Sequence, residues 1–348
     1  MLGGLPGSPA VHRLAGMTAS TPMGTSNRDT VGELGEVGLI AAVTARLAGG
    51  AAVVLGPGDD AAVVRTSDDL VVATTDLLVE GVHFRRDWSE AVDVGHKAAA
   101  QNLSDIAAMG ARATALLVGL AAPADVPVSW VLALADGLSA EAALVGAAVV
   151  GGDVVASDQL VIAVTALGVL DGRAAVTRSG AKVGDIVAVA GRLGWSAGGL
   201  AVLSRGFRSP RSLAAAHRRP QPPYGSGPAA AIAGATAMVD VSDGLMSDLA
   251  HLAEASKVAI ELEVSALEIA EPLRDAAAAL GRDPLEWVLT GGEDHALAAT
   301  FPAAVDLPEG FVKVGRVVLG AGVSVAGLPA GTYQGPGGWR HYSTGRPG

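Results

Sequence analysis

Residues 97–111, KAAAQNLSDIAAMGA, are the most informative stretch of the chain, because they place polar side chains on a helix built from small apolar residues. The apolar spacing predicts a helix over residues 91–109, with Asn102 and Asp105 one turn apart on the same face. A buried carboxylate is costly unless a cation is held beside it. We therefore expect Asp105 to bind a cation, and the alternative is a buried polar pair with a capping role.

Further aspartates stand where apolar, strand-like runs break. Their contexts are GPGDDAAVV (56–64), VVATTDLLVEGVHF (71–84), AVVGGDVVASD (148–158) and AMVDVSDGL (237–245), and the aspartates concerned are Asp60, Asp76, Asp153, Asp240 and Asp243. Hard cations such as Mg²⁺ take oxygen ligands and commonly bridge to the phosphates of a nucleotide. This repeated placement predicts several Mg²⁺ ions beside a nucleotide. Ordinary turns and helix N-caps are the alternatives at these positions.

Composition narrows the class of protein. The 348 residues are 50% apolar but only 3% aromatic, so the core is expected to consist of Ala, Val, Leu and Gly. The net charge of −11, with no Lys/Arg-rich run, argues against a nucleic-acid or anionic-membrane partner. The absence of cysteine excludes disulfides, thiolate metal sites and cysteine nucleophiles. No stretch reads as a membrane span or signal peptide, so a cytoplasmic protein is expected.

Helical and strand patterns alternate along the chain, which predicts an α/β or α+β fold. Residues 1–30 are rich in Gly, Pro, Ser and Thr and are predicted to be a disordered extension. The turn at 171–173 divides a predicted N-terminal domain, 31–170, from a C-terminal domain, 171–348. Strands are expected at 70–74 and 147–151 among others, and the polar, Pro-rich residues 205–227 are expected to be a long excursion.

The usual phosphate-binding loops are missing. The chain has no G-x-x-x-x-G-K-[ST] motif and no G-x-G-x-x-G after a strand at a nucleotide-binding position. Its only lysines are Lys97, Lys182, Lys257 and Lys313. An enzyme of this composition that transfers a phosphoryl group must therefore offset the substrate charge with metal ions, arginine and backbone amides.

Seven motifs, taken together, resemble the thiamine-monophosphate kinase family, and they occur in that family's order. They are GPGDDAAV, TTDLLVEGVHF, KAAAQNLSDIAAMGA, GGDVVASD, VTRSGAKVGD, VDVSDGLMSDL and LTGGEDHAL, and the resemblance covers residues 32–342. It implies two domains of the aminoimidazole ribonucleotide synthetase-like type, an N-terminal mixed sheet with helices and a C-terminal α/β domain. It also implies a homodimer, and ATP-dependent phosphorylation of thiamine monophosphate to thiamine diphosphate.

The resemblance implies a role for individual residues as well. The implied Mg²⁺ ligands are Asp60, Thr75, Asp76, Asp105, Asp153, Asp240 and Asp243. The implied ATP contacts are Asp60, Thr74, Gly152, Asp153, Arg178 and Ser242, and the implied thiamine-monophosphate contacts are His83, Glu293 and Trp339. The chemistry agrees, since an arginine fork suits phosphate and an aromatic face suits a cationic thiazolium ring. A carboxylate near that positive ring is sensible too. No catalytic general base is expected, because the acceptor is already an anionic phosphate oxygen and direct in-line transfer is the simplest route.

Two other functions stay open at this point. One is a sibling ATP-dependent synthetase that acts on another small phosphate or formyl compound. The lack of cysteine disfavours the selenophosphate synthetases and the hydrogenase-maturation relatives, which use a reactive or terminal cysteine. The other is a non-catalytic Mg-nucleotide-binding protein, against which the full set of costly acidic sites argues. No residue near Ala135 matches an adenine contact, and Asp294 and His295 receive no predicted role.

Overall fold

The structure is a computed structural model that describes residues 30–47, 49–55, 63–66 and 70–328. Asp60, Trp339 and residues 1–29 of the predicted extension therefore lie outside the described residues. Within the described ranges, no helix is both long enough and apolar enough to cross a membrane.

The first half of the chain forms a four-stranded mixed sheet with helices packed on one face. Its elements are α1 (Val31–Thr44), β1 (Val53–Leu55), β2 (Val63–Val64), β3 (Val72–Val79), α2 (Ala91–Ala108), β4 (Arg112–Ala122), α3 (Val128–Leu144), β5 (Ala148–Ala156) and β6 (Val161–Val169). The strand order is β3-β6-β4-β5, antiparallel except for the β4–β5 pair, while β1 and β2 form a separate ribbon. Helix α1 begins at a capping box between Thr30 and Glu33.

The second half forms a six-stranded sheet. Its elements are β7 (Ile186–Ala190), α4 (Trp195–Ser204), α5 (Arg211–Arg218), α6 (Ser226–Ala233), β8 (Ala237–Val241), α7 (Leu245–Ser256), β9 (Ala259–Glu263), a 3-10 turn (Val264–Ala266), α8 (Glu271–Leu280), α9 (Pro284–Thr290), β10 (Ala296–Phe301), β11 (Phe311–Val318) and β12 (Gly322–Ala326). The order is β12-β9-β11-β7-β10-β8, antiparallel except for the β12–β9 pair. Mixed sheets with alternating helices confirm the predicted fold class. The division at residue 171 stays a prediction, and the two large sheets lie on either side of it.

Helix α2 lies between the two halves and is buried on nearly every face. Leu103 and Ile106 join the core beneath the first sheet, whereas Ala107 and Ala108 pack with Met238 of β8. Only a helix of small residues can approach neighbours this closely on opposite sides. The small-residue composition of residues 97–111 therefore follows from the position of α2 between the domains.

Helices α2 and α3 cross at a pair of glycines. A Cβ atom added to Gly95 would lie 2.2 Å from the carbonyl oxygen of Leu134, and one added to Gly137 would lie 2.2 Å from that of Val92. Each glycine therefore lets the backbone of the other helix approach where no side chain fits. This crossing sets how deeply α2 is seated in the first domain.

The strands that carry the predicted aspartates run further than expected. Strand β3 continues through Asp76 to Val79, and β5 continues through Asp153 to Ala156. The predictions ended these strands at residues 74 and 151 because polar residues interrupted the apolar run. One face of this sheet is exposed, so alternate polar residues continue a strand without penalty.

The long excursion predicted over residues 205–227 contains helical structure that the sequence analysis did not assign. Helix α5 lies within it, and α6 begins before its end. Leu213, Ala214, Ala216 and His217 are buried, so α5 turns one short apolar face inward. The segment is polar and bounded by prolines, and its burial comes from tertiary contacts rather than from a long helical repeat.

The 205–225 segment ties the second domain to the first. Arg208 donates from Nη2 to the carbonyl oxygen of Asp87 at 3.1 Å. Arg219 forms an ion pair with Asp93, which lies in the first turn of α2. The segment therefore holds α5 against the N-terminal part of α2.

Tyr224 completes this attachment through a buried carboxylate. Its hydroxyl donates to Oε1 of Glu141 on α3 at 2.6 Å, and Nδ1 of His96 lies 2.7 Å from the other carboxylate oxygen. Burial, and then the negative charge of Glu141, raise the pKa of Tyr224, so the phenol stays protonated and donates. The carboxylate of Glu141 thus joins α3 to His96 of α2 and to Tyr224 of the second domain.

We expect Tyr224→Phe to lower the free energy of unfolding by about 1–3 kcal/mol, because it leaves an oxygen of buried Glu141 without its donor. Chemical denaturation measures this change. The control is Ser204→Ala, which removes an exposed hydroxyl that bonds the Leu200 carbonyl of its own helix and should change stability by less than about 0.5 kcal/mol. Equal stability of Tyr224→Phe and wild type would contradict the bridging role.

Candidate active site

The predicted face of α2 meets β3 through two polar contacts. Oδ1 of Asn102 accepts a hydrogen bond from the backbone N–H of Asp76 at 3.0 Å, and Oδ2 of Asp105 accepts one from the hydroxyl of Thr74 at 2.7 Å. Asn102 is fully buried and also donates to the Ala98 carbonyl at 2.9 Å. Asp76 and Asp105 are therefore brought together by a rigid helix and strand.

A third aspartate reaches this place from the second domain. Burial, and then the negative charge of Asp240, raise the pKa of Asp105 to about 7, with a smaller contribution from Asp76. Asp240 is itself buried at the end of β8, with Nδ1 of His295 at 3.2 Å from its Oδ2. Ser104 of α2 donates to the carbonyl oxygen of His295 at 3.4 Å. Three predicted aspartates thus gather where α2 contacts the second domain.

Other predicted ligands lie on the opposite face of the first sheet. Asp153 of β5 pairs with Gly119 of β4, Gly119 pairs with Ala163 of β6, and Ala163 pairs with Leu77 of β3. Because paired residues point to the same face of a sheet, Asp153 and Leu77 share one face. Thr75 lies on the same exposed face, and its hydroxyl donates to the carbonyl oxygen of Val164 at 3.0 Å. The structure therefore does not bring Thr75 and Asp153 to the side chains that face α2.

Across the described residues, no three acidic or histidine side chains lie close enough to form a ready-made metal site. Carboxylates that approach without a cation repel one another, and after burial this repulsion is the next cause that raises the pKa of Asp105. The donor atoms of Asp76, Asp105 and Asp240 are all oxygens, which is the set that Mg²⁺ prefers. The chemistry of these residues therefore fits a hard divalent cation.

Two loops of the second domain interlock beside Asp240. A Cβ on Gly292 would lie 2.3 Å from the carbonyl oxygen of Ser242, and one on Gly244 would lie 2.6 Å from that of Thr290. The N–H of Glu293 donates to the same Ser242 carbonyl at 2.8 Å. Glycine is therefore required at both places for the loops to meet.

The backbone of the 291–295 loop is strained at two residues. Glu293 has φ 63° and His295 has φ 54°, the left-handed region that side chains other than glycine seldom adopt. Such conformations persist where surrounding structure imposes them, and they cluster at functional sites. The orientation of the Glu293 side chain is therefore imposed by the interlocked loops.

The N-terminus of α7 is capped from within the helix. Oδ2 of Asp248 accepts from the N–H groups of Asp243 and Gly244, each at 3.0 Å, and no side chain caps the helix at Gly244. The alternative of an ordinary N-cap at Ser242 or Asp243 was therefore wrong. Both side chains remain candidates for ligand contacts.

The predicted substrate residues His83 and Glu293 are brought together by a lysine. Nζ of Lys97 donates to the His83 carbonyl oxygen at 3.0 Å and lies 2.9 Å from Oε1 of Glu293. Nδ1 of His83 accepts from the N–H of Val79, which places the proton of a neutral ring on Nε2. Residues from both domains therefore meet around Lys97.

His217 and Ser196 form the other side of this cluster. Nδ1 of His217 lies 3.0 Å from the Ser196 hydroxyl and 3.5 Å from Oε2 of Glu293. Burial and the charge of Lys97 lower the pKa of His217 to about 4, so the ring is neutral near pH 7. Burial alone would raise the pKa of Glu293, but the positive charge and the hydrogen bond of Lys97 outweigh it and hold that pKa at about 2. Glu293 is therefore ionised.

Several of these residues were missed by the sequence predictions, namely Lys97, Ser196, His217, Asp294 and His295. Asp294 is buried and accepts from the N–H of Ser196 at 2.8 Å at the start of α4. Burial raises its pKa to about 7, and its Oδ2 has no hydrogen-bond partner within the described ranges. The sequence held a signal for Lys97, since a lysine on a helix of small residues is unusual. The other four residues could be identified only from contacts across the domain interface.

Gly152 and Arg178 are two of the predicted ATP contacts, and the structure shows what surrounds each of them. A Cβ on Gly152 would lie 1.9 Å from the carbonyl oxygen of Val118, so the pairing of β4 with β5 already requires glycine there. Arg178 is exposed in the segment before β7, and its carbonyl oxygen accepts from the hydroxyl of Ser256 at 2.8 Å. An exposed guanidinium at this place is accessible to a phosphate.

Comparison with known proteins identifies the family. Residues 58–170 match the N-terminal domain of the family described as AIR synthase related protein, and residues 182–306 match its C-terminal domain. The chain is 53% identical over 292 residues to the thiamine-monophosphate kinase of Mycobacterium tuberculosis, an alignment that covers 84% of this chain and 87% of that protein.

Solved structures agree in fold. The crystal structure of thiamine-monophosphate kinase from Stenotrophomonas maltophilia K279a matches with a TM-score of 0.72 and 35% identity, over 83% of this chain and 94% of that chain. A structure described as AaThiL complexed with AMPPCP and TMP matches with a TM-score of 0.72 and 32% identity, over 89% of this chain and 98% of that chain. The resemblance of the seven motifs to this family is thereby confirmed.

Proposed function

The chain belongs to the thiamine-monophosphate kinases of the AIR synthase related family, and on this premise we propose that it transfers the γ-phosphate of ATP to thiamine monophosphate, forming thiamine diphosphate and ADP. The similar AaThiL structure was solved with AMPPCP, an ATP analogue, and with TMP. A pair of ligands of this kind is what a kinase acting on a phosphate acceptor must hold together.

The arrangement along α2 carries this proposal. Asp105 approaches Asp240 and Asp76 at one place on the helix, and Lys97 joins His83 to Glu293 at another. Lys97 and Asp105 are eight positions apart on the helix, which is about 12 Å along the axis. Such a separation suits an acceptor that has a ring system at one end and a phosphate at the other.

We further propose that the aspartates hold several Mg²⁺ ions. Bound Mg²⁺ would neutralise the phosphates and the charge that spreads over the transferred group. The buried carboxylate of Asp105 has its pKa raised by burial and by nearby negative charge, so its ionised form is stabilised by a cation beside it. The proposed ligands are Asp60, Thr75, Asp76, Asp105, Asp153, Asp240 and Asp243.

The chain's own task is to position two anions that repel each other. We propose that ATP is contacted by Asp60, Thr74, Gly152, Asp153, Arg178 and Ser242, and thiamine monophosphate by His83, Glu293 and Trp339. No residue has to remove a proton, because the attacking phosphate oxygen is already ionised. Direct in-line transfer follows from this positioning alone.

The exposed face of the first sheet supports the proposal of a homodimer. Leu77, Leu117 and Val155 are exposed there, beside Thr75 and Asp153. A second copy packed on this face would bury the apolar side chains and place the polar pair in a cleft between subunits. Sedimentation at several concentrations measures the oligomeric state. We also propose that the enzyme acts in the cytoplasm.

The purified protein is expected to form thiamine diphosphate from thiamine monophosphate, ATP and Mg²⁺, and to form none from free thiamine. Chelation of Mg²⁺ should reduce the rate to background, and added Mg²⁺ should restore it. Chromatography of the thiamine esters, with ADP release in parallel, measures both. No product under any condition would favour a sibling synthetase or a non-catalytic nucleotide-binding protein.

A further inference from the structure

Lys97 is buried at the centre of the proposed acceptor site but does not line it. Its side chain is 3% exposed, against 33% for Glu293. It donates to the carbonyl oxygen of His83 and to Oε1 of Glu293. Lys97 therefore acts through the two residues that face the substrate, one from each domain, rather than by touching the substrate itself.

The two carboxylate oxygens of Glu293 have different surroundings. Oε1 is engaged by Lys97 at 2.9 Å. Oε2 lies 3.5 Å from both the Ser196 hydroxyl and Nδ1 of His217, which is longer than an ordinary hydrogen bond. Oε2 can therefore accept a stronger hydrogen bond from a ligand.

The charges around Glu293 are already balanced. The ammonium group of Lys97 offsets the carboxylate, and neutral His217 adds nothing near pH 7. A ligand cation consequently gains little here, whereas an N–H donor gains a hydrogen bond to an ionised oxygen. The strained backbone at Glu293, with φ 63°, sets the direction in which the side chain leaves the loop, and Lys97 holds its carboxylate through Oε1.

We propose that Lys97 is a positioning residue, which fixes the Glu293 carboxylate so that Oε2 accepts a hydrogen bond from an N–H group of the acceptor substrate. For thiamine monophosphate that group is the amino group of the pyrimidine ring. This inference rests on the proposed function, and it assigns to Glu293 the recognition of a donor rather than of the thiazolium charge.

The test compares two acceptors in wild type and variants. One acceptor is thiamine monophosphate, and the other carries a carbonyl oxygen in place of the pyrimidine amino group and keeps the thiazolium ring. Wild type should prefer the amino compound by about 100-fold or more in kcat/KM. Lys97→Met should raise KM for thiamine monophosphate by about 10- to 100-fold and reduce the preference below about 10-fold, with KM for ATP within about twofold of wild type.

Two further variants make the result specific to Lys97. Lys97→Arg keeps the charge and should recover part of the preference, and Lys313→Met removes an exposed lysine of β11 and should leave every constant unchanged. If Lys97→Met does not fold, Glu293→Gln is the second variant that tests the inference. It keeps the shape, breaks the ion pair, and should raise KM for thiamine monophosphate while KM for ATP stays the same.

Each outcome supports or overturns one statement. Folded Lys97→Met with wild-type KM and wild-type preference would overturn the inference alone. Equal loss of affinity for both substrates would show that Lys97 only supports the fold, and would also overturn it. A wild-type enzyme that does not discriminate the two acceptors would exclude recognition of the pyrimidine amino group and would overturn the inference. Absence of product from wild type would reject the proposed function, and the inference with it.

Discussion

Asp105→Asn is expected to lower kcat by about 10³-fold or more while the protein stays folded. The substitution keeps the shape and keeps an oxygen that accepts from Thr74, but it removes the negative charge next to Asp76 and Asp240. The charge of a bound cation would then be poorly balanced at the centre of the site. Steady-state rates at saturating Mg²⁺ measure the loss.

The same substitution should not destabilise the protein without metal. Burial and two neighbouring carboxylates raise the pKa of Asp105, so its ionised form opposes folding near pH 7. A neutral side chain removes that penalty, and thermal unfolding in a chelator should show an unchanged or higher Tm. The matched control is Asp275→Asn, an exposed aspartate of α8, which should alter neither rate nor Tm. Wild-type kcat in Asp105→Asn would reject the proposed metal role.

Gly95→Ala is expected to lower the free energy of unfolding by about 3 kcal/mol. The added Cβ would lie 2.2 Å from the carbonyl oxygen of Leu134, so α2 and α3 must move apart. Helix propensity alone predicts the opposite sign, a gain of about 1 kcal/mol. Chemical denaturation therefore separates the two effects by their direction. The activity should fall as well, because α2 carries Lys97 and Asp105.

Gly225→Ala is the control for this prediction. Gly225 has φ −65° and ψ −23°, which suit alanine, and an added Cβ meets no atom within 4 Å. Its stability should be equal to wild type or slightly higher. If Gly95→Ala were as stable as Gly225→Ala, the close crossing of α2 and α3 would be contradicted.

The helix that carries the site was predictable because its signal is local. The predicted span 91–109 agrees with Ala91–Ala108, and Asn102 and Asp105 face β3 together. Helical spacing alone decides which residues share a face. The fold class was predictable on the same grounds, from the alternation of helical and strand patterns.

Contacts between distant segments were not predictable in this way. Lys97 meets Glu293 across the domain interface, and His217 lies on a short helix within the segment that was predicted only as a long excursion. No local period relates these residues. Their roles follow from the packing of the second domain on α2.

The face that Asp153 occupies is a further example. Leu116 of β4 pairs with Val149 of β5, but Leu117 pairs with Gly151, so the register shifts by one residue between them. The shifted register decides which face of the sheet each later residue of β5 occupies. A shift of one residue moves a side chain to the other face of a sheet. Asp153 therefore lies away from Asp76, although both follow similar apolar runs in the chain.

The amino-acid sequence by itself determined the fold class, helix α2, the family motifs and the aspartates, since periodicity and residue chemistry act over a few neighbouring positions. Only the tertiary structure decided which charges meet, namely Asp105 with Asp240 and Lys97 with Glu293. Electrostatic and hydrogen-bond energies depend on distance and burial in space, and chain order does not contain those distances.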